Sequence, residues 1–426
     1  MAVVGLVFLV FLLIGAPVAF AIGLSGFAFF ATSDIMPLSI GVQKIASVSQ
    51  SFPLLAVPFF VFAGHLMNES GITERLFKFS NVTVAWMAGG LAQVSIILST
   101  LMGGVSGSAV ADAAMEARVL GPQMIKEGYS KGYAAAVIAL SSLITATIPP
   151  SIGLILYGYI GNVSIGQLFL AGIVPGVLMM IVLMVTAYIV AKKRNYVVQD
   201  SSPPTFKAFF HAMWEAKWAL LFPVLLVVSI RGGLFTPSEV GAFAVVYAFV
   251  IGLLAHRELT GAKIKRAIEH AIGDIGLIML IILMSGMVGF AIIFLQVPQQ
   301  IAGTLLSGIS EPHAIVAIIL AMLFVAGLFV ESTVLVLLLT PIFVPVITQI
   351  GFNPVHFGIL MMTLVTLGSM TPPVGVAMYT VCSLLDCKIE DYVREAVPFL
   401  LAILGLVAVL LFVPDLVLFL PRMAFG

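Results

Sequence analysis

The chain has 426 residues, of which 61% are hydrophobic and 9% charged, and its formal net charge is zero. A soluble domain carries about 25% charged residues, so the composition excludes a soluble fold and describes an integral membrane protein. The neutral balance offers no basic surface for nucleic acid.

A spanning helix needs roughly 20 apolar residues. On that rule, full crossings are expected over 2–30, 52–69, 130–160, 163–192, 216–232, 236–255, 270–296, 353–384 and 391–421. The apolar start has no basic leader and outruns a signal peptide, so it reads as a retained crossing. Residues 34–50 and 256–269 are shorter and more polar, and read as amphipathic helices lying in the membrane interface. Residues 193–215 form the one hydrophilic linker. Two apolar regions, 86–125 and 312–350, are long enough for two spans but carry a polar tip at their centre. Each is expected to be a re-entrant hairpin that enters and leaves on one side. Cys382 and Cys387, with no histidine nearby, make a poor metal site and read as chance thiols.

The basic residues test this arrangement. With the linker in the cytoplasm, Arg75, Lys78, Lys126, Lys131, Lys192, Lys193, Arg194, Lys207, Lys217, Arg257, Lys263, Lys265, Arg266, Lys388 and Arg394 fall inside. Lys44, Arg231 and Arg422 fall outside, and Arg118 sits within a hairpin. This bias obeys the positive-inside rule. It places the N-terminus in the cytoplasm and the C-terminus outside.

A long internal repeat underlies the pattern. Gly104, Pro122, Gly128 and Pro149 recur as Gly327, Pro345, Gly351 and Pro372, each 223 residues later. Both copies set a polar tip, Ser106-Gly107-Ser108 or Glu331-Ser332-Thr333, ahead of a helix broken by a proline pair, Pro149-Pro150 or Pro372-Pro373. Four crossings and one hairpin separate the two breaks, so the second broken helix runs opposite to the first. The expected fold is therefore all-α, with two inverted repeats, two re-entrant hairpins and two Pro-Pro broken helices. Secondary transporters of this construction bind their solutes between the repeats.

Non-helical backbone at mid-bilayer must be buried in protein or line a wet cavity. Proline removes amide donors and frees carbonyls one turn upstream. Those are Thr145, Ala146 and Thr147 in the first copy, and Gly368, Ser369 and Met370 in the second. Ser106, Ser108, Ser332, Thr333, Ser369 and Thr371 add hydroxyls. Such all-oxygen sets suit Na⁺ better than a transition metal. The second arm of each hairpin also points a helix N-terminus at its tip, which favours a carboxylate. The bland alternative, that tips and kinks are packing devices, is weakened by their recurrence at one spacing.

Three acids lie deep: Asp112, Glu116 and Glu331. An unpaired charge at mid-bilayer costs on the order of 2.5–3.5 kcal/mol. Two readings stand for Glu116, pairing with Arg118 to fix the hairpin or a part in the site. For Glu331, a role in the ion or solute site stands beside that of a protonated structural carboxyl. Gly104-Val105-Ser106-Gly107 matches the GxSG of intramembrane serine proteases, but that chemistry needs a histidine base facing the serine. The doubled architecture has no use in a protease, and no Walker A motif supplies ATP drive. The chain is expected not to be an enzyme.

The runs GGVSGSAVADAAM (103–115), ITATIPPS (144–151), FVESTVLVLLLTPIFVPV (329–346), GSMTPPVGVAMY (368–379) and FPLLAVPFFVFAGHLMNESGITERL (52–76) resemble the large membrane subunit of the tripartite ATP-independent periplasmic (TRAP) transporters. The resemblance covers essentially the whole chain. It implies a bacterial inner-membrane protein of the ion-transporter superfamily and Na⁺-driven uptake of an organic acid, of the C4-dicarboxylate or sialic acid class. It also implies two protein partners, a small four-helix membrane subunit and a periplasmic substrate-binding protein, in contact with lipid. The small subunit is expected to be a separate chain. A stand-alone carrier of the same superfamily is the alternative.

The resemblance further implies an elevator, in which a transport domain moves against a scaffold. Its parts would be 1–85 and 161–311 as scaffold helices with linker and interfacial arm, 86–160 and 312–384 as the two halves of the transport domain, and 385–426 as a C-terminal scaffold helix. By residue matching, Ser106, Gly107 and Ser108 with the carbonyls of Thr145, Ala146 and Thr147 would hold one Na⁺. Gly327, Glu331 and Thr333 with those of Gly368, Ser369 and Met370 would hold another, giving two or more sites. Solute would sit near Ser106, Ser108, Asp112, Ser332 and Thr371. Helix N-termini and bound Na⁺ would neutralise an anion there.

Overall fold

The computed structural model describes residues 2–194, 196, 202–308 and 311–425, and every regular element among them is helical. The chain opens with α1 (Ala2–Leu13) and α2 (Val18–Ala31), which pack side by side. The expected single crossing over 2–30 is thus a helical pair. Pro17 withholds an amide and Gly15 takes φ +80°, so the apolar run reverses where hydropathy alone reads straight through.

The amphipathic α3 (Leu38–Ser49) follows, largely exposed and packed on α2. A tight turn, Phe52–Leu55, leads into α4 (Ala56–Glu69), and the two together match the expected crossing. Next comes α5 (Ile72–Val84), which hydropathy missed because Glu74, Arg75 and Lys78 dilute it. Its buried face, Ile72, Leu76, Ser80 and Val84, keeps a spacing of four.

The first copy of the repeat contains α6 (Gly90–Gly103), α7 (Ala109–Val119), α8 (Gly121–Lys126), α9 (Lys131–Ser141) and α10 (Ile152–Gly161). Between the copies lie α11 (Ile165–Lys193), α12 (Phe206–Glu215), α13 (Lys217–Arg231), α14 (Pro237–Val250), α15 (Gly261–Phe294) and α16 (Val297–Gly308). Part of the expected linker, residues 195 and 197–201, lies outside the described residues. The rest is not all linker, since α12 is a helix bent by 65° from α13.

The interfacial segment expected over 256–269 and the crossing over 270–296 are largely one helix. α15 runs unbroken for 34 residues, about 51 Å at 1.5 Å per residue. Polar pairs fasten its first half to α4: Arg266 with Glu69 at 3.2 Å and His65 with Asp274 at 2.8 Å.

The second copy comprises α17 (Pro312–Gly327), α18 (Ser332–Gln349), α19 (Pro354–Gly368) and α20 (Val376–Leu385). Helix starts recur at nearly the repeat's shift of 223: Lys131 and Pro354 for α9 and α19, Ile152 and Val376 for α10 and α20. Packing between the copies is reciprocal. The second hairpin arm α7 lies on α20, and its counterpart α18 lies on α10.

The chain closes with α21 (Ile389–Phe412) and α22 (Asp415–Phe425). The crossing expected over 391–421 ends at Phe412. Pro414 separates it from α22, which folds back on α11. Among the described residues, six helices are long and apolar enough to span a membrane, or seven counting the bent α12–α13 pair. One of the six is α18, the second arm of the second hairpin. The broken helices fall short because each half has 10 to 15 residues.

Candidate functional site

Both hairpin tips lie against the break of their own copy. In the first, α9 ends at Ser141 and the backbone tightens into i→i+3 turns: Ile144 to Ser141, Thr145 to Ser142, Ala146 to Leu143 and Thr147 to Ile144. Pro149 has no N–H for the Thr145 carbonyl and Pro150 none for Ala146. Ser151 hydroxyl bonds the Ala146 carbonyl instead at 2.6 Å. No donor among the described residues is bonded to the Thr145 or Thr147 carbonyl. The Thr147 carbonyl faces α11, where a Cβ on Gly172 would come within 2.1 Å of it.

The tip reaches this break through Gly107, whose carbonyl accepts from Ile152 N–H at 3.4 Å. Gly107 adopts φ +64°, and a Cβ there would lie 2.1 Å from the Pro150 carbonyl oxygen. Only glycine meets both demands. Ser108 caps α7 by accepting from Ala111 N–H, and Ser106 Oγ is buried with no partner.

Asp112 and Glu116, one turn apart on α7, are 1% and 0% exposed. Thr145 Oγ1 lies 2.5 Å from Asp112 Oδ2 and 2.9 Å from the Ser99 carbonyl, and Asp112 Oδ1 has no donor. Glu116 does not pair with Arg118, which is exposed and makes no ion pair among the described residues. Ser95 and Ser99 of α6 donate to it instead, at 2.5 and 2.7 Å, and both lie 3.1 Å from Ser141 of α9. A guanidinium two residues away points off the face that carries Glu116. Ser95 and Ser99 were absent from the sequence reading, although two serines four apart on an apolar helix signal a buried polar partner.

The second copy is built differently. Leu328 carbonyl accepts from Val374 N–H at 3.0 Å, which joins tip to break. Gly327 and Gly368 touch through their backbones, since a Cβ on Gly368 would sit 2.6 Å from Gly327 Cα. The three carbonyls expected to be free all have donors. Thr371 N–H bonds Gly368, Ala377 N–H bonds Ser369, and Tyr392 hydroxyl bonds Met370, at 2.9, 3.0 and 2.7 Å. Proline removes the donors one turn ahead, but neighbouring groups supply others. Buried Tyr392 on α21 was not anticipated.

Glu331 forms the N-cap of α18. Its carboxylate accepts from Thr333 N–H and Val334 N–H, and from the hydroxyls of Ser332 and Thr333, over 2.8–3.3 Å. A carboxylate at a helix N-terminus is stabilised by the dipole and by these donors. Ser369 and Thr371 hydroxyls turn back onto Thr366 and Leu367 carbonyls. Of the expected oxygen groups, Ser106 Oγ and the Thr145 and Thr147 carbonyls in the first copy, and the Gly327 carbonyl in the second, have no hydrogen-bond partner among the described residues. No hydrogen bond among the described residues joins one tip to the other.

Residues 6–416 match the family model of the tripartite ATP-independent periplasmic transporter, DctM component. The chain is 34% identical over 412 residues to the sialic acid TRAP transporter large permease protein SiaM of Vibrio cholerae, covering 97% of this chain and 96% of that one. It is 34% identical over 414 residues to the isethionate TRAP transporter permease protein DctMQ of Oleidesulfovibrio alaskensis, covering 97% of this chain but 65% of the longer relative. In fold it resembles the YdaH transporter of Alcanivorax borkumensis, with a TM-score of 0.67 at 13% identity over 97% of this chain and 98% of that one.

Proposed function

From the chain's membership of the TRAP transporters as a DctM component, a large permease subunit and not an enzyme, we propose that it drives Na⁺-coupled uptake of an organic anion across the bacterial inner membrane. The observation that carries this reading is the doubled contact of a hairpin tip with a helix break, Gly107 with Ile152 and Leu328 with Val374. Sialic acid and isethionate, named for two relatives, are both anions. The solute is placed near Ser106, Ser108, Asp112, Ser332 and Thr371, where the N-termini of α7 and α18 offer positive potential.

One Na⁺ is assigned to the first tip. Ser106 Oγ and Asp112 Oδ1 are buried acceptors without donors, and the Thr145 carbonyl adds a third oxygen. Hard oxygens without nitrogen or sulfur are what such a cation takes. A second Na⁺ is assigned to Gly327, Glu331, Thr333 and the carbonyls of 368–370. Apart from the Gly327 carbonyl its oxygens are already hydrogen-bonded, so its binding requires local rearrangement and is the weaker of the two.

The reciprocal packing of α7 on α20 and α18 on α10 supports a twofold relation between the copies. Four crossings between the breaks, α11, the bent α12–α13 pair, α14 with its continuation to Ala255, and α15, make that relation inverted. Re-entrant hairpins and elevator movement of the broken-helix domain complete the reading. The paired α1 and α2 return the N-terminus to the side of residues 34–50. It is therefore placed outside with the C-terminus, in place of the cytoplasmic position expected from one crossing.

Reconstitution tests the proposal. Uptake into proteoliposomes is to be measured with this chain, a small membrane subunit and a periplasmic binding protein, with Na⁺ or K⁺ outside. Uptake that requires Na⁺ and both partners supports it. Uptake by this chain alone makes it a stand-alone carrier, and uptake indifferent to Na⁺ removes the coupling.

A further inference from the structure

We propose that the bend between α12 and α13 is a binding site for a zwitterionic phospholipid headgroup of the phosphoethanolamine type. Phe209 holds α12 to the protein, its ring 5.8 Å from that of Phe79 on α5. The adjoining exposed face carries Phe206, Phe210 and Trp214 at a spacing of four, 79, 44 and 67% exposed. A short amphipathic helix that leaves a spanning helix at 65° and exposes an aromatic stripe lies along the membrane interface, with its rings among the upper acyl chains.

At the inner end of this stripe is a polar cavity of about 300 Å³, lined by Glu74, Arg75, Lys78, Glu215, Lys217 and Glu258 beside Trp214 and Trp218. Three of these groups are cations and three are carboxylates, so the wall is neutral and suits a zwitterion better than an anion. Two internal pairs use four of them, Lys78 with Glu74 and Arg75 with Glu258, both at 2.8 Å.

Lys217 and Glu215 are left, one on each side of the bend at Ala216. Lys217 makes no ion pair among the described residues, and its ammonium rests 3.6 Å from the Trp214 ring centroid. Glu215 meets His211, one turn back on α12, at 3.4 Å in a pair open to solvent that a headgroup ammonium can displace. Lys217 donates to the lipid phosphate and Glu215 accepts from the ethanolamine ammonium. The acyl chains then follow the Phe206–Phe210–Trp214 stripe. A trimethylated headgroup has no N–H for Glu215, and a glycerol headgroup has no cation for it.

The test measures lipids retained by the purified full chain after exchange into detergent with equal phosphatidylethanolamine, phosphatidylglycerol and phosphatidylcholine, read by native mass spectrometry. Phosphatidylethanolamine should be retained at least about tenfold over the other two, as the loss of one charge-assisted hydrogen bond implies. The Glu215→Gln, Lys217→Gln double variant should lose that preference. Lys207→Gln, on α12 but outside the cavity, should keep it and control for folding of the helix. Equal retention of the three lipids by the unsubstituted chain would overturn the proposal, as would an unchanged preference in the double variant. Soluble phosphoethanolamine should fail to compete, and full competition would replace the lipid by a free phosphate ligand.

Discussion

Thr145, in the first helix break, places its hydroxyl 2.5 Å from one oxygen of Asp112 on the second hairpin arm, and the other Asp112 oxygen has no donor. The contact ties hairpin to break and leaves the other carboxylate oxygen buried without a donor. A buried acceptor without a donor costs about 1–3 kcal/mol. The proposed Na⁺ removes that cost, which makes this pair the first place to perturb.

Thr145→Val keeps the shape and deletes the hydroxyl. Asp112 then loses its donor, and the Na⁺ half-saturation of uptake should rise about tenfold or more, as loss of a hydrogen bond to a charged group implies. The measurement is initial uptake rate against Na⁺ in proteoliposomes. A half-saturation equal to that of the unsubstituted protein would separate Asp112 from the ion.

Glu116 should act on stability more than on transport specificity. Glu116→Ala leaves the Ser95 and Ser99 hydroxyls buried without their acceptor and opens a cavity between α6, α7 and α9. It should cost about 3 kcal/mol or more. Glu116→Gln keeps an acceptor and should cost less. Thermal unfolding in detergent gives the order, and equal melting temperatures for the two variants would contradict it.

Backbone contact at the second tip leaves no room for a side chain. Gly368→Ala drives a Cβ to 2.6 Å from Gly327 Cα, so α17 and α19 must separate and transport should fall at least about tenfold. Gly351→Ala meets open space and only the strain of φ +73°, about 1 kcal/mol, so transport should persist. Comparable activity of the two variants would show that the contact is dispensable.

Glu331 should behave as a cap first. Glu331→Ala removes the acceptor for two amides and two hydroxyls at the start of α18, at a cost of about 1–2 kcal/mol. Glu331→Asp, also a good capping residue, should recover most of it. Thermal unfolding of the two variants decides. If Glu331→Asp is no better than Glu331→Ala, reach rather than capping chemistry governs the position.

Hydropathy made the all-helical membrane fold legible, and residue spacing placed its tips and breaks. The shift of 223 located both tips and both breaks because proline pairs and glycine-centred turns have few other uses inside apolar sequence. It missed the reversal at Gly15–Pro17, where hydropathy is blind to backbone direction, and the continuity of α15, where the polar stretch 256–269 reads as a separate interfacial helix. At the site, deleted donors were read correctly but replacement donors were not. Tyr392 comes from α21, and no local pattern links it to Met370. The Ser95–Ser99–Glu116 cluster likewise depends on α6 and α7 meeting in space. Sequence symmetry suggests two equal oxygen sets, whereas more of the first set than of the second lacks hydrogen-bond partners.

The most direct measurement is Na⁺ binding to the purified chain, by isotope equilibrium dialysis, for the unsubstituted protein and for a Ser106→Ala, Asp112→Asn double variant. The account predicts saturable binding that the double variant weakens by about a hundredfold, the loss of two ligands at about tenfold each. Binding of equal strength in both proteins would contradict it.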